Sequence, residues 1–242
     1  MSDYNNELNN LFSDWEKASE NDGFTDFCRD GLLYKGMVDG YRHSGNESEL
    51  WDNSIKKILF LFKDSNNNGK DDYRGWLPNN IINSVFFKTV ALLLVGIDEI
   101  KENGIYPSFN EAFNKERLTK AYEEKVFAIV NCKKESGGGS ISKDVLLKFA
   151  INYGQYLKKE IDILKPTIIY CGGKGSVISI VKNIIFPSIQ FNQSNENIYF
   201  NSDRNILLID GWHPSARSSY EKKYLSIMEA LKKHLVKVHT GN

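Results

Sequence analysis

Apolar and polar positions follow two periods along this chain, and the changes of period divide it into elements. Leu8, Leu11, Phe12 and Trp15 recur at helical spacing among polar residues, which predicts a helix over 4–18. From 19 to 54 the pattern is lost. Gly23, Gly31, Gly36, Gly40 and Gly45 punctuate that stretch and predict loops and turns. Four short apolar runs follow, each ending in polar residues or glycine: Lys57–Phe62, Val126–Val130, Thr167–Cys171 and Ile206–Ile209. Runs of this length and flanking read as buried parallel strands. Between them lie helical patterns. The longest covers 79–101, with Ile82, Val85, Phe86, Val90, Leu93, Leu94 and Ile97 on its stripe and Pro78 just ahead of it. Others cover 109–122, 142–164 (stopped by Pro166), 174–184 and 216–238. The Asn-rich stretch 185–205 predicts a short strand or hairpin, and 63–74 a loop.

Strands that alternate with helices imply βαβ units. The expected fold is α/β, a three-layer α/β/α sandwich around a central, mostly parallel four-stranded sheet. Residues 55–242 form the expected domain, and 1–54 an extension packed on it. A length of 242 residues is enough for a sizeable core.

Charge changes the picture only locally. The net charge is zero, but residues 1–54 carry 4 Lys/Arg against 12 Asp/Glu. The remainder is correspondingly basic, and a basic domain is the electrostatic footprint of a polyanion partner. Its acidic leader is equally suited to shielding that charge. Lys222, Lys223, Lys232 and Lys233 read as a solvated helix face. Three cysteines, Cys28, Cys132 and Cys171, lack the pairing of a disulfide framework or a zinc site. No apolar run is long enough to span a bilayer, and no signal-peptide pattern opens the chain. The expectation is a cytoplasmic monomer with no membrane, metal or cofactor.

The candidate chemistry sits where the strands end. Asp64-Ser65-Asn66, Asn131, Gly172-Gly173 and His213-Pro214-Ser215 follow the four runs. In a parallel sheet these ends lie along one edge. A carboxylate there can orient water, and an imidazole can stabilise charge on a leaving group. An amide can read a base edge, and glycines let backbone N–H groups approach a phosphate.

In this order the motifs resemble those of the uracil-DNA glycosylase superfamily. The matching segments are Lys63-Asp64-Ser65-Asn66, the Asn131-Cys132-Lys133-Lys134 segment, Leu164–Gly173 (LKPTIIYCGG) and Trp212–Arg217 (WHPSAR). The resemblance covers about the last three-quarters of the chain. It implies base excision from DNA, with Asp64 and His213 catalytic. Asn131, Ser65, Phe86 and Phe87 would hold the base. Lys133, Lys134, Gly172, Gly173, Ser215 and Arg217 would contact DNA. The glycine and proline of the family's first motif are Lys63 and Asn66 here, and three scattered cysteines do not supply the four-thiolate cluster of some branches.

Other readings compete. Asp64 and Ser215 also suit simple caps, Asn131 a turn, and Trp212 packing. Arg74 and Trp76 are candidates for a pocket mouth, and Gly137–Gly139 for a functional loop. The altered first motif fits a non-catalytic binder of nucleotides or nucleic acid. Asp210-Gly-Trp-His213 has the D-x-x-H spacing of GDSL/SGNH esterases, which would make Ser65 a nucleophile activated by His213 and Asp210.

Overall fold

A computed structural model describes residues 3–65, 69–75, 84–138 and 140–240. Asn66, Trp76, Pro78, Ile82 and Gly139 lie outside them. The helices are α1 (Tyr4–Asn21), α2 (Glu47–Asn53), α3 (Val85–Glu99), α4 (Phe109–Ala112), α5 (Lys115–Glu124), α6 (Lys143–Leu164), α7 (Ser176–Ile180) and α8 (Tyr220–Thr240). The strands are β1 (Cys28–Arg29), β2 (Gly31–Leu32), β3 (Gly36–Val38), β4 (Tyr41–His43), β5 (Ile58–Ser65), β6 (Asp71–Asp72), β7 (Ala128–Ser136), β8 (Ile168–Gly172), β9 (Asn192–Asn195), β10 (Ile198–Asn201) and β11 (Ile206–Gly211).

The main sheet is larger and more mixed than the four parallel strands expected. Among the described residues it has seven strands in the order β2-β7-β5-β8-β11-β10-β9. The four central strands, β7, β5, β8 and β11, are parallel. Antiparallel β2 closes one edge and the β9–β10 hairpin extends the other. The period of two along β5 splits its side chains between two cores. Leu59 and Leu61 join the core under α1 and α6, whereas Phe60 and Phe62 join the core under α3 and α8. Helices therefore cover both faces.

The N-terminal segment is built into this architecture. Leu8, Phe12 and Trp15 of α1 are fully buried, and Trp51 of α2 donates its indole N–H to the Leu164 carbonyl at 2.7 Å. β2 supplies an edge strand. Residues 19–54, expected as loops, thus hold four short strands and a helix.

Other boundaries moved for local reasons. The expected 109–122 helix breaks into α4 and α5 because Asn114 caps a fresh start, accepting the Arg117 N–H at 3.2 Å. The expected 174–184 helix is α7 followed by a π-turn at Val181–Ile185. The last helix begins at Tyr220 rather than 216, with Ser219 accepting the Lys222 N–H. The start of the expected 79–101 helix, residues 79–83, lies outside the described residues, and α3 runs from Val85. No described helix is long and apolar enough to cross a membrane.

From β5 the chain crosses out to β7, then returns past β5 to β8. This reversal opens a crevice at the carboxyl ends of the parallel strands, the usual ligand position in open α/β sheets.

Candidate functional site

A cavity of about 520 Å³ occupies that crevice. Asp64 and Ser65 enter it from the end of β5, Asn131 from β7, and His213 and Ser215 from the loop after β11. Phe86 and Phe87 of α3 form an apolar wall. Segments distant in sequence therefore bring a carboxylate, a carboxamide and an imidazole to one space.

His213 is held by a loop anchored from three elements. The Tyr170 hydroxyl of β8 donates to the Trp212 carbonyl at 2.7 Å. The Lys223 ammonium of α8 and the Thr89 hydroxyl of α3 both donate to the Pro214 carbonyl, at 2.6 and 3.2 Å. Lys223 is thus a buried strut rather than part of a solvated face. The Ser215 N–H donates to His213 Nδ1 at 3.2 Å. Nδ1 is then an acceptor, and the neutral ring carries its proton on Nε2. Burial pushes the imidazole down to about 4, and the charges of Lys63 and Lys223 add to the effect. The ring lies 5.4 Å from Phe62 and 5.8 Å from Phe86, centroid to centroid.

The glycines of β8 and β11 make this geometry possible. A Cβ at Gly172 would meet the Phe62 ring at 2.5 Å, and one at Gly211 would collide with the Tyr170 ring and hydroxyl. Phe62 can therefore lie across β8 toward His213. Gly172 and Gly173 were expected to offer N–H groups to a phosphate. Instead Gly172 is a packing position, and the Gly173 N–H donates to the Gly211 carbonyl at 3.0 Å.

Asp64 is half-buried, and burial raises its carboxyl above the usual range; Lys133 and Lys63 oppose that rise. Gly137 runs against it, leaving 2.9 Å between Asp64 Oδ2 and the place a Cβ would take. Gly138 of the same loop lines the cavity.

Asn131 is not at a strand end. β7 continues to Ser136, because the N-terminal segment pairs with it: the Ser136 N–H donates to the Asp26 carbonyl and Phe27 bridges Glu135. The Asn131 side-chain NH2 and backbone N–H both donate to Asp30 Oδ2, at 3.0 and 2.8 Å.

Several expected contacts lie elsewhere. Lys134 is fully buried and ion-paired with Asp30 and Glu160, so it cannot reach DNA. Lys133 is 7% exposed and donates to the carbonyls of Glu135 and Ser136. Arg74, expected at the pocket mouth, is buried against Asp72 and Asn9. Ser215 and Arg217 are exposed in the loop before α8, and Ser215 caps no helix. Trp212, expected in packing, is 38% exposed. Ser65, Asp210 and His213 do not form an esterase relay. The Ser65 hydroxyl is turned to the carbonyls of Lys134 and Glu135, and the Asp210 carboxylate accepts the Gly175 N–H.

Leu33, Tyr73, Tyr122 and Ile129 also line the cavity and were not foreseen. The three cysteines are buried thiols, and no group of three or more His, Cys, Asp or Glu among the described residues could hold a metal ion. No family model matches the chain, and no curated protein matches its sequence.

Proposed function

We propose that the protein is a DNA base-excision glycosylase that hydrolyses the N-glycosidic bond of uracil or another deaminated base. The reading rests on one observation: Asp64, Asn131, His213 and Phe86 border the same cavity. Its volume, about 520 Å³, suits a flipped nucleoside.

In this reading the base enters beside Phe86. Asn131 Oδ1 accepts a ring N–H, the group that deamination creates. His213, neutral above about pH 4, offers Nε2–H to a base carbonyl, where negative charge grows as the bond to C1′ breaks. Asp64 takes a proton from the water that attacks C1′. The bond from C1′ to the base nitrogen breaks, the hydroxyl of the water joins C1′, the base leaves as an anion held by the His213 Nε2–H, and the proton taken by Asp64 passes to it through solvent.

An alkali-cleavage assay for abasic sites tests this on single- and double-stranded oligonucleotides carrying one uracil. The wild-type protein is expected to generate the abasic site. Asp64→Asn and His213→Ala are each expected to slow it by about 10²–10³-fold while remaining folded. Full activity in both variants would remove the assigned roles.

A further inference from the structure

We infer that Asp30, from the acidic N-terminal segment, is a positioning residue that sets which atom of Asn131 faces the cavity and so determines which bases the site accepts. The inference rests on the glycosylase reading and deepens it.

The argument starts from what a carboxylate can do. It only accepts hydrogen bonds. Asp30 Oδ2 receives the Asn131 backbone N–H at 2.8 Å and its side-chain nitrogen at 3.0 Å. The side-chain atom facing Asp30 is therefore the NH2 group, and Oδ1 is turned away. Asn131 lines the cavity while its carboxamide nitrogen is held by Asp30. The carboxamide thus presents an acceptor to a bound base.

A carboxylate as buried as Asp30, 1% exposed, is stable there only if its charge is compensated. The Lys134 ammonium does this at Asp30 Oδ1. Burial alone would lower Lys134, but Asp30 and Glu160 more than offset it and the net direction is upward. Glu160 lies 2.7 Å from the same ammonium and is itself pushed well up by burial, toward its neutral form. The rings of Phe12 and Trp15 on α1 cover Lys134 at 5.5 and 5.2 Å. The N-terminal segment thus contributes both the carboxylate and the cover of its counterion.

An acceptor at Asn131 favours bases with a ring N–H, such as uracil, and rejects cytosine, whose corresponding nitrogen is an acceptor. Asp30→Asn would let the Asn131 carboxamide turn over. The test uses full-length wild type, Asp30→Asn and the charge-balanced Asp30→Asn/Lys134→Met pair, with folding monitored by circular dichroism. Two quantities are read: the side-chain NH2 resonances of ¹⁵N-labelled Asn131, and affinities for free uracil and free cytosine. In the wild type, one Asn131 amide proton is expected well downfield of free asparagine, with uracil preferred. In the variants, the shift is expected to vanish and the preference to fall about tenfold or more. An unshifted wild-type resonance, or an unchanged preference in a folded variant, overturns the inference. If neither base binds the wild type, the glycosylase reading fails together with the specificity role, and the resonance still decides whether Asp30 orients Asn131.

Discussion

At the scale of single residues, His213 carries the sharpest expectation. Its folded-state value, about 4, lies below the ordinary 6.5. The unfolded chain therefore binds a proton that the folded chain refuses between those values. Stability present above pH 6.5 is lost as the pH falls toward 4. Thermal melts across that window should show His213→Gln losing less stability on acidification than the wild type, by on the order of 2 kcal/mol. Identical acid slopes would contradict the buried, neutral imidazole. The placement of Asp64 and His213 beside one cavity could be read in the sequence because each sits in a short local motif beside an apolar run. Asp30, Leu33 and Tyr73 could not. Asp30 meets Asn131 across 101 positions, and only tertiary pairing creates that contact.

At the scale of elements, the glycine pair and the loop after β11 work together. Gly211 faces the Tyr170 ring, whose hydroxyl holds the Trp212 carbonyl. Gly211→Ala should destabilise the protein by about 1–3 kcal/mol, the usual cost of overpacking. On the glycosylase proposal it should also lower kcat more than conservative surface changes do, because Tyr170 must move. Urea unfolding and turnover measured on the same preparation check both; unchanged values would mean that the Tyr170 anchor is dispensable. The four central strands were legible because their apolar runs are continuous. The end of β7 was not, since Asn-Cys-Lys-Lys-Glu looks like a polar loop. The Asn131, Lys133 and Lys134 side chains are buried there because Asp30, Glu160 and main-chain carbonyls partner them. The edge strands β2, β9 and β10 are too short, and in part too exposed, to imprint a period of two.

At the scale of the whole molecule, the acidic leader is structural. The side chains of Leu8, Phe12 and Trp15 are fully buried, and each contributes about 1.5–3 kcal/mol. Together they approach the net stability of an ordinary domain, about 5–15 kcal/mol. A chain beginning at residue 55 should therefore lack a cooperative unfolding transition in calorimetry. A well-folded truncation would show that the segment is an appendage after all. Composition alone could not reveal this. A stretch with 12 acidic residues and regular glycines looks solvated, yet its few aromatic residues are the ones that enter the core.

The central claim is that Asp64, Asn131 and His213 form one hydrolytic base-excision site. It is tested most directly by incubating the full chain with oligonucleotides bearing uracil, hypoxanthine or xanthine in ¹⁸O-labelled water, followed by mass spectrometry. The expected result is free base without label and one ¹⁸O atom at C1′ of the abasic sugar. Intact oligonucleotide with all three bases, or label on the released base, would contradict it.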